Sequence, residues 1–105
     1  MSALRHKYGA VRTEAHGFKF ASKAEERFYR HLMAERAAGA VLFWLMQVPF
    51  HLPGGVRYVV DYQIFQADGS IRFVDVKGVE TEAFKVKKRV VEATFPGVVI
   101  EVVKA

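Results

Sequence analysis

The sequence predicts an α/β (α+β) domain, a mixed β-sheet flanked by helices in the order α, β, β, β, α, β. Two segments open on capping residues, Ser22 and Thr81, and continue in helix formers. Four further segments are apolar or alternate with period two, and turn residues separate them. Strands in series with two helices suit a mixed sheet covered by those helices.

Taken in order, residues 1–15 are polar and aperiodic and read as a basic N-terminal arm, leaving residues 16–105 as a single domain. Ser22-Lys23-Ala24-Glu25 is a capping-box pattern, so a helix should run from there to about Ala38 and stop at Gly39. Its apolar stripe is Ala21, Phe28, Tyr29 and Leu32, with Met33 at the margin. Val41 to Phe50 is expected as a strand with Pro49 near its end, followed by a Pro53-Gly54-Gly55 turn. Arg57–Gln66 and Ser70–Lys77 form a hairpin around Ala67-Asp68-Gly69. Thr81 caps a second helix reaching about Thr94, with Ala83, Val86, Val90 and Thr94 inward. Phe95-Pro96-Gly97 ends it before a final strand, Val98–Val103.

Composition narrows the function. The chain has 105 residues, 51% of them hydrophobic, which fits one packed domain. With no cysteine, disulfide scaffolds, thiolate zinc sites and cysteine nucleophiles are excluded. No apolar run approaches the roughly 18 residues of a membrane span, and Met1 to Arg12 has no apolar core of a signal peptide. These points predict a soluble cytoplasmic protein with no membrane partner. Sixteen Lys or Arg against eleven Asp or Glu give a net charge of +5, which favours polyanions. Arg5, Lys7, Arg12, Lys23, Lys85, Lys88 and Arg89 are the candidate phosphate contacts. From charge alone, two solvated helix faces are the better reading.

The hairpin holds the most informative acids. Alternation puts Ile71, Phe73, Asp75 and Lys77 on one face, and Val59, Asp61, Gln63 and Phe65 on one face of the preceding strand. Register decides whether the acids meet. A three-residue loop with Gly69 left-handed pairs Gln66 with Ser70 and sets Asp61 opposite Asp75, and this register is the expected one. On the first helix, at about 100° per residue, Leu32 lies within roughly 20° of Glu25. Glu25 thus sits in the apolar stripe and Glu26 turns toward solvent. An acid there is costly unless paired, protonated or bound to a cation; closing the capping box is the alternative. Three carboxylates and a lysine converging would suit Mg²⁺. Asp75 and Lys77 alone are equally a surface ion pair.

The ordered set Phe20-Ala21-Ser22-Lys23-Ala24-Glu25, Gln47-Val48-Pro49-Phe50, Arg57-Tyr58 leading to Asp61-Tyr62, Asp75-Val76-Lys77-Gly78-Val79-Glu80-Thr81 and Phe84-Lys85-Val86-Lys87 resembles the PD-(D/E)xK nuclease superfamily. Within it, the likeness is to small phage and prophage nucleases similar to Holliday junction resolvases. The resemblance implies a restriction-endonuclease-like αβββαβ core. It implies Glu25, Asp61 and Asp75 as metal-binding acids, the Val76 carbonyl as a further ligand and Lys77 as the catalytic lysine. Gln47 and Lys85 would orient water or contact phosphate. Val60 stands where the superfamily name has Pro, and the second acid is Asp75 rather than Glu. The implied activity is a Mg²⁺-dependent endonuclease, with Mn²⁺ as substitute, cutting four-way or other branched DNA as a homodimer in a bacterial or phage-infected cell. The alternatives are a nicking, flap or restriction-like nuclease of the same fold, or a DNA-binding module that cuts nothing. His51 is a weaker candidate for the site rim, and Trp44 reads as core or dimer surface.

Overall fold

A computed structural model describes residues 13–15, 18–20 and 22–105. Its elements are β1 (Thr13–Ala15), β2 (Phe18–Phe20), α1 (Lys23–Ala37), β3 (Val41–His51), β4 (Arg57–Gln66), β5 (Ile71–Lys77), α2 (Glu82–Thr94) and β6 (Ile100–Lys104), with a 3₁₀ turn at Pro53–Gly55. The expected α, β, β, β, α, β order is present, preceded by a short β1–β2 hairpin. Thr13–Ala15 lies in the stretch read as an arm, because three-residue strands leave no periodicity to read. Residues 1–12, with Arg5, Lys7 and Arg12, lie outside the described residues, as does Ala21.

Strands β3-β4-β5-β6 form one mixed sheet in that order, antiparallel except for β5 and β6, which run parallel. A parallel pair needs a crossover, and α2 supplies it. Ser22 caps α1, its Oγ accepting from the Glu25 N–H at 3.2 Å. Gly39, just past the helix end, has φ +85°, a conformation only glycine adopts freely.

The hairpin takes the expected register. Gln66 N–H reaches the Ser70 carbonyl at 2.9 Å, Tyr62 lies opposite Val74, and Gly69 has φ +90°. Asp68 accepts from both the Ser70 N–H and hydroxyl, which closes the loop.

Two apolar clusters cover the sheet. Phe28, Tyr29 and Leu32 of α1 pack with Val41, Tyr62, Ile64, Val74 and Val76. Phe84 and Val91 of α2 pack with Leu52, Tyr58, Val60 and Ile100, and with the half-buried Phe73 and Val102. Neighbours in one strand point to opposite faces. Since Phe73 and Val74 belong to different clusters, as do Val102 and Val103, the clusters lie on opposite sides of the sheet.

That alternation fails at one level. Val60 and Tyr62 are two apart yet belong to opposite clusters, and so do Met46 and Val48 on β3. The intervening residues are Asp61 and Gln47, and Gln47 has φ +55°, uncommon for a residue with a side chain. Both strands turn over together there. This corrects the expectation that Val59, Asp61, Gln63 and Phe65 share a face.

A second correction concerns α2. Its buried residues are Phe84 and Val91, whereas Ala83, Val86, Val90 and Thr94 are exposed. Ala83, Val86 and Val90 instead line an open apolar groove with Leu52, Pro53 and Val56. The helix is rotated by about one residue, roughly 100°, from the expected setting, because the larger Phe84 ring fills the space over Tyr58.

Replacing Gly69 with Val should cost about 1–2 kcal/mol, the penalty of a left-handed side-chain residue. Urea unfolding should show it as a lower midpoint at unchanged slope.

Candidate active site

The β4–β5 pairing runs from Phe65–Ile71 to Tyr62–Val74, and at the next position the two strands fork. There the Asp61 N–H donates to the Asp75 carboxylate at 2.9 Å, and the Val76 N–H donates to the Asp61 carboxylate at 2.9 Å. Two side chains thus take over the bonding that main-chain carbonyls provide further up the hairpin. The register fixed by Gly69 is what puts the acids level with each other.

Three neighbours complete the arrangement. Tyr58 donates its hydroxyl to the second oxygen of Asp75. Gln47, at the strained turn-over of β3, donates its side-chain amide to Asp61 at 3.3 Å. Lys77 sits two residues beyond Asp75, its ammonium 4.8 Å from the centre of the Phe84 ring.

Asp75 is 1% exposed and is the buried charged side chain among the described residues. Burial raises its pKa above the ordinary carboxylate value, with the Asp61 N–H and the Lys77 charge partly offsetting this. Tyr62 sits behind the fork with its hydroxyl pushed far above the usual range. Burial is the main cause, followed by the charges of Asp61 and then Glu25. The charges of Glu25 on α1 and Asp61 on β4 thus act on the same hydroxyl.

Residues 5–105 match the model of a family described as "Protein of unknown function (DUF1064)". The chain belongs to this family. Among curated proteins and solved structures, nothing matches it.

In this DUF1064 domain the predicted site residues divide. Asp61, Asp75 and Gln47 are brought together, Val76 is bonded into the fork, and Lys77 lies on the same strand as Asp75. Glu25 stays on α1, and among the described residues no three His, Cys, Asp or Glu side chains are near enough to hold a metal ion. Lys85 pairs with Glu82 at 3.4 Å and Lys88 with Glu92 at 3.1 Å, while Lys23 and Arg89 are exposed. Glu26 is mostly covered and pairs with Arg30 rather than standing in solvent. His51 is exposed at the end of β3. Tyr58, part of the Arg57-Tyr58 stretch that carries the resemblance, was given no role in the sequence, because with period two a residue three before Asp61 is expected on the other face.

The donor chemistry fits a hard divalent cation. Every candidate ligand is an oxygen, and each carboxylate keeps lone pairs beyond the hydrogen bonds it accepts. A cation beside Asp75 would also relieve the cost of its buried charge.

Because its pKa is raised in the folded state, Asp75 binds a proton more tightly there than in the unfolded chain. Stability therefore falls as pH rises from the ordinary carboxylate range through the folded value, and the cost is complete once pH has passed that value. Asp75→Asn should be more stable than the native chain at pH 7, the gap closing below about pH 4, the unperturbed range. Thermal melts across pH would check this.

Proposed function

We propose that this chain is a Mg²⁺-dependent DNA endonuclease acting on branched DNA, of the kind that resolves four-way junctions. The observation that carries the reading is the fork: two carboxylates level with each other at a break in the sheet, one of them buried, with a lysine on the same strand. Capping two main-chain donors does not require the buried acid to be charged, and strongly perturbed carboxylates gather at functional sites.

Asp61 and Asp75 would hold the metal, with the Val76 carbonyl as a further oxygen donor. When bound, Mg²⁺ supplies a Lewis acid for a phosphate oxygen and a source of hydroxide near neutral pH. The chain's own groups do the positioning. Tyr58 fixes the Asp75 carboxylate and Gln47 fixes that of Asp61, leaving the rest of the Gln47 amide to orient water. The Lys77 ammonium would donate to the attacking water and offset charge developing on the phosphate. The net charge of +5 favours the DNA backbone, whose contacts position without reading sequence. Two copies related by a two-fold axis would make paired cuts.

The test is a labelled four-way junction beside a matched linear duplex, with Mg²⁺, Mn²⁺ or EDTA. Paired, metal-dependent cuts at the junction are expected, and Asp75→Asn and Lys77→Ala should each lose at least about 100-fold in rate. Equal cutting of both substrates would keep the nuclease and remove the junction preference. Binding without cutting under either metal would mean a DNA-binding module.

A further inference from the structure

The basic residues divide by whether the fold neutralises them. Lys85, Lys88 and Lys104 have acidic partners in Glu82, Glu92 and Glu80. Arg57, Lys77 and Lys87 form no ion pair among the described residues, yet all three line one hollow of about 290 Å³. They come from three elements, the start of β4, the end of β5 and the second turn of α2, so no single solvated helix face accounts for their meeting. Like charges gathered in one concavity repel unless an anion sits among them, and the concavity focuses their field.

The remaining wall suits an oxyanion. Thr81 also lines the hollow, and its hydroxyl oxygen accepts from the Phe84 N–H, which leaves its own proton to donate. Phe84 holds the Lys77 ammonium in place. Tyr58 belongs both to this wall and to the fork, through its bond to Asp75. The hollow therefore opens beside the two carboxylates.

We propose that Arg57, Lys77 and Lys87 form a phosphate-binding pocket that seats a DNA backbone phosphate next to the one at the fork, without any need for metal. The identity of the ligand as DNA rests on the nuclease reading, while phosphate recognition rests on the pocket alone. Arg57 and Lys87 act as binding residues, and Lys77 is shared with the fork.

The experiment measures DNA binding in EDTA over a range of salt, with Arg57→Ala/Lys87→Ala beside the ion-paired Lys85→Ala/Lys88→Ala. Losing the grip on that one phosphate should flatten the slope of log K against log salt by up to about 0.9, and the control pair should change it less. Arg57→Lys/Lys87→Arg should restore the native slope, and circular dichroism should find all folds intact. In a second arm, inorganic phosphate is titrated while the Arg57 side-chain N–H signal is followed. A saturable shift lost in Lys87→Ala supports a pocket that takes free phosphate as well. A flattened slope with no such shift supports one that takes only the DNA backbone. An unchanged slope in the double variant, or no binding of DNA or phosphate at all, overturns the pocket. Loss of slope in a chain that cuts nothing keeps the pocket and removes the nuclease, and cutting with an unchanged slope does the reverse.

Discussion

Two hydrogen bonds of 2.9 Å, Asp61 N–H to Asp75 and Val76 N–H to Asp61, hold the centre of this molecule. They let β4 and β5 separate without leaving buried main-chain donors unpaired, which would cost about 1–3 kcal/mol for each group. Because the strands part there, the carboxylates lie in the gap rather than on a flat sheet face. The turn-over of β3 and β4 occurs at the same level, at Gln47 and Asp61, and Gln47 bonds to Asp61 across it. The strain of its left-handed backbone is thus spent beside the acids, the usual company of a re-aimed side chain.

Packing makes the fork rigid. The α1 cluster grips Tyr62, Val74 and Val76 from one face, and the α2 cluster grips Tyr58 and Val60 from the other. Asp61 is therefore flanked by residues anchored on opposite sides of the sheet, Val60 and Tyr62, whereas Asp75 lies between Val74 and Val76, both anchored on the α1 side. Such support allows a buried carboxylate to persist although its charged form is disfavoured, a local cost that working sites accept. The same division explains why Glu25 is set apart. It belongs to the α1 side, whereas Asp75 and Lys77 point toward α2, and Tyr62 is the group through which Glu25 and Asp61 are felt together.

Much of this was legible in the sequence where a local rule applied. Ser22 marked the start of α1, Gly39 its end, and Gly69 fixed the hairpin register that sets Asp61 level with Asp75. What failed depended on neighbours distant in the chain. The inward face of α2 was misplaced because Ala83, Val86 and Val90 share helical spacing just as Phe84 and Val91 do, and only the space above Tyr58 chooses between them. The turn-over at Gln47 has no signature, since a glutamine gives no warning of a positive φ. Basic residues near Lys85 were named by clustering, yet Lys85 and Lys88 find acidic partners while Lys87 and Arg57 face the hollow.

The central claim is that the forked carboxylates form a site for a hard cation. Titrating Mn²⁺ into the isotope-labelled chain and following paramagnetic broadening of its amide signals tests this most directly. Broadening centred on the Asp61 and Val76 N–H groups, and lost in Asp61→Asn, is the predicted result. Broadening centred instead on the exposed Glu82, or none at all, would contradict it.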